Sequence, residues 1–156
     1  MRVSIVAAFA LAGLLLLPAT GAFAAGAGAI STTQVFKDAT QIFASPNPCT
    51  GAPGTVTITF NGVFHITTLA NGTFWATGTQ TGTFTFTPDD PTQLSASGRF
   101  TAWFGDNDNL KNGTETSILS VRGTNADGTT FVAHDVAHVS VSASGITFSF
   151  DKPTCH

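Results

Sequence analysis

The chain has 156 residues, of which 42% are hydrophobic, and its 6 Lys and Arg side chains against 9 Asp and Glu give a formal net charge of −3. This weak negative charge leaves no basic patch for nucleic acid or anionic lipid, so a nucleic-acid partner is not expected. A chain of this length suits one domain with a single core.

The N-terminal 24 residues have the features of a signal peptide. A basic residue precedes an apolar run from Val3 to Leu17, and Ala22-Phe23-Ala24 forms the A-x-A pattern of a cleavage site. The apolar run, about fifteen residues, is shorter than the roughly 20 that cross a membrane. We therefore predict a secreted protein that has no membrane association after cleavage at Ala25.

Residues 25–32 are almost only Gly and Ala and predict a flexible start, which leaves residues 33–156 as the folded domain. Thr33 to Phe43 predicts a bent or bulged strand, because neither a period of two nor one of 3.6 fits it. From Val56 to Phe150 apolar residues alternate with threonines and serines, which is the pattern of half-buried strands.

Turn signals separate these strands, and Asn71-Gly72 predicts a type I′ turn with two positive φ angles. Long strands joined by short turns form a meander. We predict an all-β, antiparallel meander of seven or eight strands that closes into an up-and-down β-barrel, with a β-sandwich as the alternative.

The two cysteines, Cys49 and Cys155, lie near opposite ends of the predicted domain. Export places them in an oxidising compartment, where thiols pair, so we predict a disulfide between them. A free thiol or a metal ligand is the less favoured reading, because neither cysteine belongs to a C-x-x-C motif.

Four short runs resemble a group of uncharacterised small secreted bacterial proteins. They are Asn47-Pro48-Cys49-Thr50-Gly51, Gly78-Thr79-Gln80-Thr81-Gly82-Thr83-Phe84, Trp103-Phe104-Gly105 and Phe150-Asp151-Lys152-Pro153-Thr154-Cys155. The resemblance covers most of the mature chain and implies export and a β-barrel-like fold. It implies no activity and no catalytic residues.

The alternation places two polar residues, Gln80 and Asp135, on the predicted interior face among phenylalanines. Together with Phe64, Phe84 and Phe100 they form a candidate site for a small apolar molecule, which is the preferred function. The other rings predicted to line this interior are Phe60, Phe74, Phe86 and Phe148.

Asp135 also offers a second hypothesis, in which burial raises its pKa and it acts as the general base of an isomerase- or cyclase-type enzyme. The simpler alternative is that Asp135 and Gln80 bond to each other, to a neighbouring strand or to buried water. No sequence motif supports catalysis, and enzyme activity is the less favoured expectation.

The string His134-Asp135-Val136-Ala137-His138 resembles the H-E-x-x-H zinc motif, which works on a helix. Strand-forming residues flank it on both sides, and on a strand the two histidines stand about 13 Å apart, too far to share one zinc ion. We predict no metal site and no cofactor.

The opposite, threonine-bearing face carries His65, His134, His138, Trp75 and Trp103. Aromatic rings on an outer face stack on apolar patches and are enriched at interfaces. The third hypothesis is therefore a surface-associated structural or interaction protein that contacts a sugar or another subunit through these residues.

Overall fold

The computed structural model describes residues 28–156. The predicted signal peptide and its cleavage site lie outside the described residues. The strands are β1 (Ile30–Ala44), β2 (Gly54–Thr68), β3 (Phe74–Pro88), β4 (Ala96–Asp108), β5 (Asn112–Asn125), β6 (Thr130–Ser142), β7 (Gly145–Asp151) and β8 (Thr154–Cys155). This part of the chain contains no helix, and hence none with the length and apolar character needed to cross a membrane.

Each strand from β1 to β6 pairs antiparallel with the next one along the chain, and β8 pairs with β6 beyond the end of β7. The predicted antiparallel meander is therefore confirmed. Within residues 28–156 no backbone ladder joins β1 to β7 or β8, so the sheet is not closed into a barrel by hydrogen bonds.

The sheet nevertheless curls, because residues that are distant along it meet on its inner face. The rings of Phe84 on β3 and Phe131 on β6 have centroids 6.4 Å apart, although two strands lie between them in the sheet. An open barrel and a sandwich formed by one bent sheet both produce this contact. The buried apolar cluster contains Val56, Ile58, Phe60, Phe84, Phe86, Ala96, Phe100, Ala102, Leu119, Val121, Ala133 and Ala137.

The predicted disulfide is confirmed. Cys49 in the β1–β2 loop bonds to Cys155 in β8, with Cα atoms 5.5 Å apart and a sequence separation of 106. The bridge therefore ties the first hairpin to the last strand, which the sheet order alone leaves far apart.

The first strand begins at Ile30, within the segment predicted to be flexible and three residues before its predicted start at Thr33. The predicted bulge is present, since the register with β2 shifts between Phe36 and Ala39. Asp38, inside the bulge, has a φ of 49°.

The predicted type I′ turn at Asn71-Gly72 is wrong. Gly72 has a φ of 88°, whereas Asn71 is not among the residues with positive φ, and the Gly72 N–H donates to the carbonyl of Leu69. The connection is a longer loop built on a right-handed turn followed by a left-handed glycine. The Asn71 side chain accepts a hydrogen bond from the Thr73 N–H, which stabilises this alternative.

The prediction that Phe148 faces the interior is also wrong. Val141 pairs with Ile146 but Ser140 pairs with Phe148, so Thr147 is an extra residue in β7. A bulge of one residue moves the following side chains to the other face. Phe148 therefore lies on the outer face, where 56% of its surface is exposed.

Candidate functional site

The interior holds a small apolar cavity at the end covered by the β1–β2 loop. Its volume is about 30 Å³, far below the roughly 150 Å³ of an apolar cavity that binds benzene. The cavity is lined by Ser45, Pro46, Asn47, Pro48, Val56, Phe84, Phe86, Ala96, Phe100, Leu119, Val121 and Phe131. Two of the predicted ligand-binding rings, Phe84 and Phe100, thus lie together, but the space between the side chains is largely filled.

The other predicted ligand-binding residues lie elsewhere. Phe64 packs against Phe36 and Phe104, at centroid distances of 4.9 and 5.2 Å. Gln80 is 2% exposed, as predicted, and its buried Oε1 atom has no hydrogen-bond partner. Neither residue lines the apolar cavity, so the structure does not bring the five predicted residues into one site.

Asp135 is 6% exposed on the inner face, which confirms its predicted burial. Desolvation, together with a hydrogen bond to the Asp151 carboxyl and repulsion from it, raises the pKa of Asp135 to about 7. The predicted direction of the pKa is confirmed, but the partner on β7 was missed. No local sequence signal indicates it, because the pairing depends on the register between β6 and β7.

The surroundings of Asp135 leave little space for chemistry. Its Oδ1 atom is buried without a hydrogen-bond partner. The void beside it has a volume of about 10 Å³, which is at the lower limit for a single water molecule. The residues that line this void are Pro48, Leu119, Ala133, His134, Asp135, Pro153 and Thr154. A substrate therefore has no room at Asp135 in this conformation.

A second group of acids lies further along the inner face. Asp106 on β4 and Glu115 on β5 are cross-strand partners. Desolvation raises the pKa of both, with a smaller contribution from Asp108 for Asp106 and from Asp106 for Glu115. Within residues 28–156 no group of three or more His, Cys, Asp or Glu side chains has an arrangement that would hold a metal ion.

The two histidines of the zinc-like string lie on strand β6 and make separate contacts on the outer face. The Nδ1 atom of His134 lies 2.9 Å from the Ser120 hydroxyl, and that of His138 lies 2.7 Å from the Thr116 hydroxyl. The predicted strand is confirmed. Each imidazole bonds to a hydroxyl on β5 rather than to a shared ligand.

The outer face of β2 to β4 carries two exposed indoles, Trp75 at 47% and Trp103 at 39% exposure. Trp103 lies over Gly105, where an added Cβ would be only 2.8 Å from the Cη2 atom of the indole. The absence of a Cβ at residue 105 thus lets the ring lie close to the backbone of its own strand. We name Trp75, Trp103 and Gly105 the Trp platform.

The register fixes the dimensions of the Trp platform. Trp75 pairs with Asn107, whereas Trp103 pairs with Thr79, so the two indoles stem from adjacent strands, four residues apart along them. This offset corresponds to about 14 Å between the two Cα atoms. His65 on β2 pairs with Thr77, which lies between the two indoles in this register, so it belongs to the same surface.

The remaining two histidines belong to another part of the outer face. His138 stacks on Phe150 with centroids 5.8 Å apart and an interplanar angle of 22°, and it contacts Phe148 at 5.9 Å. The Lys152 ammonium lies 5.4 Å from the centre of the Phe150 ring. We name His138, Phe148, Phe150 and Lys152 the C-terminal aromatic cluster. The five predicted surface residues are therefore not one cluster, and the two phenylalanines were missed.

The surroundings of the Trp platform are almost uncharged. The outward side chains of β2, β3 and β4 are mostly threonines, and Arg99 is the one Lys, Arg, Asp or Glu among them. Hydroxyl and aromatic groups therefore define the chemistry of this face.

Comparison of this chain with protein-family models, with curated proteins and with solved structures found no match.

Proposed function

We propose that this chain is an exported, non-catalytic binding protein that holds a neutral polysaccharide on the Trp platform. The observation that carries the proposal is the Trp103 indole, which lies close against Gly105 on the outer face and is 39% exposed. A flat, exposed aromatic ring stacks on the apolar face of a sugar ring.

The composition of the surface supports a neutral partner. Threonine hydroxyls on β2 and β3 flank the indoles, and hydroxyl groups donate and accept hydrogen bonds as sugar hydroxyls do. Arg99, the one charged side chain on the outer face of β2 to β4, lies four residues from Trp103 along β4, which corresponds to about 13 Å. A polyanion or a strongly charged protein surface would find little electrostatic complement there.

The filled interior supports a role for the outer face. Binding sites for small molecules have volumes of several hundred Å³, whereas the apolar cavity has about 30 Å³. The enzyme hypothesis has less support still, because Asp135 faces a void of about 10 Å³.

Export is supported by the apolar N-terminal run with its A-x-A site and is compatible with the Cys49–Cys155 disulfide. A neutral polysaccharide of a cell wall or of the surroundings would be within reach of a protein in such a compartment.

Depletion of the mature, disulfide-bonded protein by insoluble neutral polysaccharides tests the proposal. A panel of cellulose, chitin, mannan and starch granules is expected to include at least one that removes the protein from solution. Trp103→Ala and Trp75→Ala are each expected to weaken this binding on the order of tenfold, as the loss of one stacked ring of about 1.5 kcal/mol implies.

Phe148→Ala is the matched control, since it removes an exposed aromatic ring from the outer face of β7, away from the Trp platform. Its binding should equal that of the unmodified chain. Equal binding by the tryptophan variants would contradict the proposal. So would the absence of any bound polysaccharide combined with a dimer in sedimentation that Trp103→Ala dissociates.

A small apolar ligand in the interior is the second candidate function, and the apolar lining of the cavity under Ser45 to Pro48 favours it. Such a ligand requires this loop to lift, because the closed cavity is too small. Titration with an apolar fluorescent dye tests it: saturable one-to-one binding that Phe100→Leu alters would support the interior site, and no binding is expected if the interior stays closed.

A further inference from the structure

The C-terminal segment after β7 lies along β6. The Lys152 N–H donates to the carbonyl of Val136 at 3.0 Å. Beyond it Thr154 and Cys155 pair with His134 and Ala133. The segment is therefore an edge of the sheet, held by a few backbone hydrogen bonds and by the disulfide at its far end.

The Asp135–Asp151 pair joins this segment to the inner face. Asp151 pairs with Ala137, so Asp135, two residues away on β6, is its diagonal neighbour on the same face. The two carboxyls therefore lie where one can donate a hydrogen bond to the other, and this interaction contributes to the raised pKa of Asp135. An ionised carboxylate is only an acceptor, so this bond requires one shared proton.

Burial makes loss of that proton costly. Asp135 is 6% exposed, and its Oδ1 atom lacks a hydrogen-bond partner. The pKa of Asp135 is raised mainly by burial and then by Asp151, and the backbone of Val136 opposes this only weakly. Two ionised carboxylates on diagonal positions of one face repel each other, and Asp151 lies in an exposed part of the chain at the edge of the sheet.

No basic side chain compensates the pair from the elements packed around it. The facing residues on β5 are Leu119 and Ser117, the β1–β2 loop contributes Pro48, and β3 has no titratable side chain. Glu115, the acid of β5, is four residues beyond Leu119, about 13 Å along the strand. The acids of β4, Asp106 and Asp108, lie at the same end of the inner face as Glu115.

The basic and imidazole groups nearest in sequence point elsewhere. His134 bonds to Ser120 on the outer face, and the Lys152 ammonium lies over the Phe150 ring. The backbone of His156 pairs with Val132. Asp151 is the one titratable residue of β7, and it is the side chain of that strand that acts on Asp135.

We propose that the Asp135–Asp151 pair is a proton-operated clasp, which holds the segment from Asp151 to Thr154 on β6 while the shared proton is present and releases it when the proton is lost. Cys155 stays tethered to Cys49 in both states. This clasp is independent of the function proposed for the outer face.

The pH at which the clasp opens follows from the sign of the linkage. The pKa of Asp135 is raised from 3.8 to about 7 in the folded chain. Its protonation therefore stabilises the folded state fully below about pH 4, and this contribution is lost as the pH rises through about 7. Release is expected on the alkaline side of neutrality.

Amide hydrogen exchange of Lys152 tests the clasp, because its N–H makes the bond to Val136. After correction for the intrinsic chemical rate, its protection is expected to fall at least tenfold between about pH 5.5 and pH 8.5. Asp135→Asn keeps a hydrogen bond to Asp151 without a titrating proton and should remove the pH dependence. Asp151→Asn, at an exposed position, leaves Asp135 titratable but supplies an amide that can donate to it in both protonation states, so it should weaken the pH dependence and serves if Asp135→Asn does not fold.

Glu115→Gln is the matched control, because it removes another inner-face carboxyl whose pKa burial raises. The pH dependence at Lys152 should persist in this variant. Constant protection of Lys152 across the pH range, or a pH dependence that survives in the folded Asp135→Asn and Asp151→Asn variants, would overturn the clasp.

Discussion

The Trp platform and the C-terminal aromatic cluster both expose aromatic rings on the outer face, but their rings have different neighbours. In the C-terminal cluster His138 and Phe148 each contact Phe150, and Lys152 lies over it. In the Trp platform the Trp103 indole lies over a glycine, and neither tryptophan contacts another aromatic ring within residues 28–156. Exposure alone therefore does not indicate an available binding surface.

The difference arises from the strands that carry the rings. β7 is a short strand that forms the last hairpin with β6 at the edge of the sheet, and its two phenylalanine rings pack on each other. β3 and β4 are long strands within the sheet, with neighbours on both edges. The indoles of the Trp platform are therefore not needed to hold β3 and β4 together, which leaves them free for a partner.

Removal of the disulfide is expected to have the largest effect and to separate the two regions. A bridge that closes a loop of 106 residues contributes about 4 to 5 kcal/mol on the chain-entropy model, so the Cys49→Ser, Cys155→Ser variant should lose about that much in urea unfolding. In the folded variant the amide hydrogens of β8 should exchange faster, while those of β3 and β4 should remain better protected from exchange than those of β8. An equal increase in amide exchange around the Trp platform and around the C-terminal aromatic cluster would contradict the comparison.

Alanine at one ring of each region sharpens the comparison. Phe150→Ala removes contacts with His138, Phe148 and Lys152 and should lower the free energy of unfolding by roughly 1 to 2 kcal/mol. Trp75→Ala removes a ring that is 47% exposed and should change the free energy of unfolding by no more than about 0.5 kcal/mol. The measurement is urea denaturation of both variants in the same buffer, and a reversed order would contradict the account.

Alternation in the sequence predicted the faces of β2 to β6 well, because those strands are long and regular. Phe84, Phe100, Gln80 and Asp135 are all buried as predicted. The same rule failed for Phe148. One extra residue at Thr147 exchanges the two faces of β7, and the alternation of apolar and polar residues does not reveal it. An irregularity of register is a property of two strands together.

The sites were less predictable than the faces. The bond between Asp135 and Asp151 depends on which residues of β6 and β7 are opposite each other. The contact between the Trp103 indole and Gly105 did have a local signal in the sequence, because the two residues are two positions apart and so share a face of the strand. The volume left between the interior side chains has no signature in the sequence at all.

Gly105→Ala tests whether Gly105 positions the Trp103 indole, and its effect on polysaccharide binding is expected to be the smallest of the series. The added methyl group would stand 2.8 Å from the indole and should lift the ring off the strand without removing it. Polysaccharide binding is expected to fall about threefold, which corresponds to roughly 0.7 kcal/mol. Gly128→Ala, at a turn whose φ of 87° strains an alanine although no atom lies within 4 Å of the added methyl group, should lower stability but leave polysaccharide binding unchanged, and so controls for destabilisation away from the platform. Binding that Gly105→Ala leaves unchanged would contradict the role of the glycine.

The most direct test of the outer-face account is an NMR titration of the mature, disulfide-bonded protein with a soluble oligosaccharide cut from a polysaccharide that it binds. The account predicts progressive shifts of the indole N–H signals of Trp75 and Trp103, with the ring signals of Phe148 and Phe150 unchanged. Unmoved indole signals, with shifts confined to Phe84 and Phe100 in the interior or to the C-terminal aromatic cluster, would contradict it.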